Sequence, residues 1–148
     1  MRPKLVGIEF NAVFASQLRR AQRTAELAGF PEFEITRLLN EVDYGEYDGR
    51  TSADIQAGRP GWELYRDGSP GGEAPAAMYQ RAEAFIAMAA SRSGRVIAFS
   101  HGHFLRSVAV AWLAIDITNA TKFKLDVATI SILSETDHGR ELARWNAP

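Results

Sequence analysis

RVIAFSHGHFLRS, Arg95–Ser107, reads as a buried β-strand, Val96–Phe99, that stops at Ser100-His101-Gly102-His103 and runs straight into an apolar helix, Phe104–Leu113. In open α/β sheets, ligands bind beyond the carboxyl ends of strands. A helix N-terminus draws anions through its free N–H groups and its dipole. His101 therefore stands where a phosphate would sit, and Gly102 would let the backbone turn sharply and approach such a ligand. The residues alone leave a second reading open, in which His101 caps the helix or fills a polar niche beneath a loop.

A second junction of the same kind lies upstream. Asn11–Ala15 (NAVFA) reads as another short buried strand, Ser16 as an N-cap, and Leu18–Ala28 as a helix stopped by Gly29. Arg19 and Arg20 fall in the first turn of that helix, where cations are disfavoured, and Arg23 follows. Bidentate guanidinium contacts to a dianion would account for one arginine there. Arg19 and Arg23 are read as a solvated basic face. Between the junctions, LLNEVDYGEYDG (Leu38–Gly49) interleaves Glu41, Asp43, Glu46 and Asp48 with Tyr44 and Tyr47. Most of these acids read as solvated. Glu41 is the exception, because the spacing predicts a strand over Glu34–Leu38 and so places Glu41 at a strand's carboxyl end.

Taken together, these segments resemble the histidine phosphatase superfamily, which includes phosphoglycerate mutases and many acid phosphatases. SQLRRAQRTAEL (Ser16–Leu27) is similar to the family's S-x-L-x-R-A-x-x-T-A segment, and this implies a phosphate-binding role for Arg20 with Ser16 beside the substrate. LLNEVDYGEYDG resembles the loop that carries the acid/base glutamate, here Glu41. GGEAPAAMYQRAEAF resembles the family's Gly-Glu-Ser stretch, with Ala74 in place of the usual serine. FSHGHFLRS resembles the second-histidine motif, which makes His101 a phosphate contact next to Gly102. The SHGH and YGEYDG variants look most like the bacterial acid-phosphatase-type branch.

The fold that this resemblance implies is an α/β three-layer sandwich of phosphoglycerate mutase type. Its sheet is mostly parallel with an antiparallel edge, within a single domain over 1–148. The family's Arg-His-Gly, whose histidine is the phosphorylated nucleophile, occurs nowhere in the sequence. The remaining histidines are His103 and His138, and His138 follows Asp137. The expectation is therefore a chain short of about one βα unit at its N-terminus and inactive as it stands. The implied chemistry is hydrolysis of small phosphate monoesters through a phosphohistidine, with no cofactor and no metal. A phosphate-ligand-binding or regulatory relative is the alternative, and a phosphoglycerate mutase-type phosphotransferase a lesser one.

Composition narrows the field without naming the chemistry. Seventeen basic against eighteen acidic residues leave a net charge of −1, so no global field favours nucleic acid or a membrane surface. An anionic substrate must then be met by a local cluster. The absence of cysteine excludes disulfides and thiol catalysis. No apolar run approaches transmembrane length, and cytoplasmic is the default location. Arg59–Gly72 reads as a long excursion over the active face, with Trp62, Tyr65 and Arg66 as candidate substrate contacts and a loop pinned by a buried tryptophan as the alternative. Pro75–Ser91 reads as an amphipathic helix with Met78, Ala82, Phe85 and Met88 on its core stripe. Ala128–Leu133 and Glu141–Trp145 read as a hairpin closing the sheet edge, with His138 in its turn.

Overall fold

The computed structural model describes residues 5–148. The two junctions form neighbouring parallel strands. β1 (Ala12–Ser16) is central, flanked in parallel by β2 (Glu34–Thr36) and β3 (Val96–Phe99). Val13 is registered with Ile97 and Ala15 with Phe99. Side chains alternate between the two faces, as the strand repeat demands. Ala12, Phe14, Val96 and Ala98 pack into one core, and Val13, Ala15, Ile97 and Phe99 into the other. Covering on both faces explains why these strands read as continuous apolar runs.

Helix α1 (Arg19–Ala28) closes the second face through Ala21, Ala25 and Ala28, which recur at helical spacing. The chain then passes through two short helices, α2 (Ser52–Gly58) and α3 (Leu64–Asp67). The first face is covered by α4 (Pro75–Ala90) and α5 (Gly102–Trp112). On α4, Met78, Ala82, Phe85 and Ile86 are buried, while Met88 packs only partly against the core. The result is a mixed α/β fold with helices on both faces of a parallel sheet. No helix among the described residues is long and apolar enough to cross a membrane.

Several boundaries differ from the sequence expectation, each for a local reason. Ser16 does not cap α1. It ends β1, and Leu18 occupies the N-cap with no side-chain bond, because the Ser16 hydroxyl is drawn into a distant network. β2 stops at Thr36, two residues early, where the Thr36 hydroxyl accepts from Leu38 N–H and turns the chain into a 3₁₀ turn, Arg37–Leu39. Glu41 thus follows that turn and not a strand. Helix α5 begins at Gly102, so His101 is its N-cap residue in extended conformation and Gly102 is its first helical residue. The sharp turn assigned to Gly102 is absent.

The hairpin, β4 (Ile130–Thr136) and β5 (Gly139–Ala147), forms a separate two-stranded sheet and does not hydrogen-bond to the parallel one. It starts later than expected because Ala128 is left-handed, at φ 57°, and cannot extend a strand. Ile130 and Leu133 lie three residues apart on β4, so ordinary alternation sends their side chains to different cores. The hairpin is anchored to the end of α5, where Trp112 Nε1 donates to Glu141 O at 3.0 Å.

The loop carrying the acids is locked onto the segment before α4. Glu46 N–H donates to Pro70 O and Glu73 N–H to Asp43 O, both at 2.9 Å. A side chain on Gly45 would collide with the Pro70 carbonyl, and one on Gly72 with the Asp43 carbonyl. Close backbone approach, not flexibility, is what requires glycine at these positions.

Candidate active site

The carboxyl ends of β1 and β3 bring Arg20 and His101 into direct contact. Arg20 Nε donates to His101 Nδ1 at 3.0 Å. A guanidinium can only donate, so Nδ1 carries the lone pair and the neutral ring holds its proton on Nε2. That N–H points at Ser16 Oγ, 2.8 Å away, and Ser16 Oγ donates to Asn40 Oδ1 at 3.0 Å. Gln17 N–H also donates to Asn40 Oδ1, and Leu18 N–H to Ser16 Oγ. The circuit fixes one tautomer and one ring orientation. Burial, and then the adjacent Arg20 charge, hold His101 below its ordinary imidazole value. The Arg20 side chain makes no other hydrogen bond among the described residues, which leaves its Nη1 and Nη2 open.

Glu41 sits at the N-terminus of α5. Its Oε1 accepts from Phe104 N–H and Val42 N–H, each at 3.0 Å, and its Oε2 has only a 3.4 Å contact to His103 N–H. An acid at the positive end of a helix is favourably placed. Its charge reaches both histidines, and it opposes the fall of each pKa. Tyr44 OH lies 2.6 Å from His103 Nδ1, and Tyr65 OH donates to His103 O at 2.9 Å. Burial, followed by the Glu41 charge, pushes the Tyr44 phenol far above its usual value, so it stays protonated. Burial, against the Glu41 charge and with help from the Arg106 charge, holds His103 below its ordinary imidazole value.

Beyond Tyr44 and His103 opens a cavity of about 430 Å³, lined chiefly by Tyr44, Tyr47, Trp62, Tyr65, His103 and Arg106. Tyr47 meets Trp62 edge to face at 5.5 Å. His103 belongs to both the Glu41 cluster and the cavity, through its N–H contact to Glu41 and its place in the cavity lining.

The family model described as histidine phosphatase superfamily (branch 1) matches residues 1–148. The chain belongs to that superfamily. It is 39% identical over 134 residues to an acid phosphatase of Mycobacterium tuberculosis, covering 88% of this chain and 66% of that protein. A 2,3-bisphosphoglycerate-dependent phosphoglycerate mutase of a Methylobacterium species is 33% identical over 123 residues, covering 72% of this chain and 59% of that protein. Among solved structures, a Mycobacterium tuberculosis open-reading-frame product matches with a TM-score of 0.89 at 36% identity, covering 92% of this chain and 72% of that one. The chain therefore spans 66% and 59% of the lengths of these two curated relatives.

Within this histidine phosphatase framework the sequence-predicted residues divide into three groups. Arg20, His101 and Glu41 converge at the open end of the parallel sheet. Ser16 lies behind them, fully buried with its hydroxyl spent on His101, Asn40 and Leu18, so it holds the histidine and has no face toward a ligand. Gly102 is exposed at the mouth, and a Cβ there would meet nothing.

Trp62 and Tyr65 line the neighbouring cavity, although Trp62 also pins its own loop by donating to Gly68 O at 2.8 Å. Arg66 is not brought there. It is exposed and held by Asp67 and Gly61 O. Arg23 pairs with Glu26 on the solvated face of α1.

Sequence reasoning missed Asn40 and the pair Arg81–Glu73. Arg81 donates to both Glu73 carboxylate oxygens at 2.7 Å and to the carbonyls of Leu38 and Asn40 at 2.9 and 2.8 Å. It thereby fastens the backbone that presents Asn40 and Glu41. The only local signal was an Arg and a Glu eight residues apart around a helix start.

Proposed function

We propose that this chain supplies the phosphate clamp and the proton-transfer carboxylate of a phosphatase acting on small phosphate monoesters. The carrying observation is Arg20 in contact with His101 at adjoining strand ends, with the terminal nitrogens of Arg20 unengaged. A phosphoryl group set there would take two N–H donors from the guanidinium, and the imidazole would stand behind them. Such positioning and charge stabilisation supply most of the catalysis in phosphoryl transfer. Glu41 Oε2, the less engaged oxygen, gives a proton to the leaving alcohol and later takes one from the attacking water.

His101 itself is not the nucleophile in this reading. Its one available lone pair is blocked by Arg20 Nε–H, and its other nitrogen faces Ser16. The attacking histidine belongs to an Arg-His-Gly segment that this sequence does not contain. In the complete reaction its ring nitrogen bonds to phosphorus as the ester P–O bond breaks, and water then cleaves the N–P bond.

The test is to titrate the 148-residue chain with inorganic phosphate by calorimetry and to assay turnover of 4-nitrophenyl phosphate. Expected are saturable phosphate binding that Arg20→Ala weakens by roughly 100-fold, and no turnover until an Arg-His-Gly segment is joined to the chain. Absence of phosphate binding by the native chain would overturn the clamp. Turnover by the chain alone would overturn the assignment of the nucleophile.

A further inference from the structure

Tyr44 stands between His103 and Glu41. Its phenol lies 2.6 Å from His103 Nδ1, which is its only hydrogen bond among the described residues. The Glu41 carboxylate is close enough to act on the same phenol, by its charge and as an alternative acceptor. A phenol has one proton to donate, so His103 and Glu41 compete for it. Burial keeps Tyr44 protonated, and burial with the Arg106 charge favours the neutral His103 ring.

The phenol is bonded to the ring and not to the carboxylate, and a neutral imidazole accepts through one nitrogen only. With Nδ1 as that nitrogen, Tyr44 O–H donates to His103 and the ring proton sits on Nε2. The opposite tautomer would put a proton on Nδ1, make Tyr44 accept, and turn its O–H onto Glu41. The ring is held in place from both sides. Tyr44 meets it edge to face at 5.7 Å, Tyr65 flanks it at 6.1 Å, and Tyr65 OH donates to the His103 carbonyl. The titratable and charged groups facing His103 are thus Glu41, Tyr44, Tyr65 and Arg106. Glu41 Oε1 is spent on the Phe104 and Val42 N–H groups, while Oε2 has only its 3.4 Å contact. A phenol donated to Oε2 would occupy that oxygen and favour a carboxylate over a carboxylic acid. A general acid needs its proton-bearing oxygen open to the leaving group.

We propose that His103 is a positioning residue for Glu41. By accepting the Tyr44 O–H at Nδ1, it withholds that donor from Glu41 and leaves Oε2 free to carry and deliver a proton. His103 itself exchanges no proton with substrate. It sets where the phenol points. The assignment rests on the proton-transfer reading of Glu41, and the experiment separates the two.

The native chain, labelled with nitrogen-15 in histidine and carbon-13 in the glutamate carboxyls, is studied by NMR without ligand, at a pH above the ordinary histidine titration. His103 Nδ1 should show the shift of an unprotonated nitrogen and Nε2 that of a protonated one. The Glu41 carboxyl resonance, assigned by its loss in Glu41→Gln, then reports on the phenol. Tyr44→Phe keeps the ring and should leave that resonance nearly in place in the native background. In His103→Leu the acceptor is gone, the phenol should turn to Glu41, and adding Tyr44→Phe should shift the resonance clearly. In His103→Asn, whose Oδ1 stands where Nδ1 stood, Tyr44→Phe should again have almost no effect. The quantity read is the non-additivity of the two substitutions. A proton on Nδ1 in the native chain overturns the proposal, and so does an equal effect of Tyr44→Phe in all three backgrounds. The native-chain tautomer decides the matter even if His103→Leu does not fold. The reading of Glu41 fails separately if, once an Arg-His-Gly segment is joined, Glu41→Gln slows turnover of 4-nitrophenyl phosphate as much as that of phenyl phosphate, whose poorer leaving group needs the proton.

Discussion

The Arg20–His101 cluster and the cavity beside His103 differ in kind, because one is a closed hydrogen-bond circuit and the other is not. In the clamp each ring nitrogen, the Ser16 hydroxyl and the Asn40 oxygen has a partner, so a single geometry survives. In the cavity, Arg106 keeps a buried Nε without an acceptor. A fully satisfied network rigidifies, whereas an unsatisfied buried group costs free energy.

The largest test acts on what both regions share. Arg81→Met removes the bidentate pair to Glu73, whose side chain is only 14% exposed, and frees the Leu38 and Asn40 carbonyls. Breaking one side of such a pair costs about 3–5 kcal/mol. Urea unfolding should show a loss of that size, together with weaker phosphate and ester binding. A loss below about 1 kcal/mol would mean that the pair does not hold the Glu41 segment.

Next in size is Arg20→Ala, which should separate the two regions. Phosphate affinity should fall by roughly 100-fold, in line with loss of charged hydrogen bonds worth about 1.5–3 kcal/mol. Stability should fall by about 1–3 kcal/mol, because His101 Nδ1 is buried and loses its donor. Arg20→Lys should not restore binding, since an ammonium cannot offer the paired N–H fork. Full rescue by lysine in calorimetry would show that charge alone matters at this position.

How much of this was legible in the sequence depends on how far each interaction reaches along the chain. The β3–α5 junction could be read because strand, turn and helix are contiguous, and Val96–Phe99 is where the apolar run placed it. Gly29 ends α1 at φ 102°, a local requirement with a local signal. Ser16 was misread because its neighbours look like a cap, while its hydroxyl is claimed by His101, 85 residues away. Arg81 was passed over for the same reason, as its carbonyl partners lie 41 and 43 residues upstream. Gly102 invited a turn that the extended His101 makes instead. The independence of the hairpin could not be read at all, since periodicity reports which residues form a strand and not which strand they join.

A smaller effect should appear on the cavity side alone. Trp62→Phe keeps the ring against Tyr47 but removes the bond from Nε1 to Gly68 O. An unsatisfied buried carbonyl should cost about 1–2 kcal/mol in urea unfolding, with phosphate affinity unmoved. A parallel fall in phosphate affinity would show that the two regions are mechanically coupled.

The smallest effect is a pH dependence to which both regions contribute. His101 and His103 are each held below the ordinary value of 6.5 by burial, His101 also by Arg20 and His103 also by Arg106. The unfolded chain therefore binds more protons than the folded one as pH drops through that value. Stability from both is fully present above pH 6.5 and is lost as pH falls toward the folded values. Unfolding midpoints measured from pH 7.5 down to about pH 5 should decline, in a window above the carboxylate titrations. His101→Gln and His103→Gln should each flatten the decline. Glu41 opposes the shift at both histidines, so Glu41→Gln should steepen it. If Glu41→Gln steepens the decline in the native background and in neither histidine variant beyond its remaining histidine, the carboxylate acts on each ring separately. An unchanged slope in Glu41→Gln would mean that its charge is screened from both histidines.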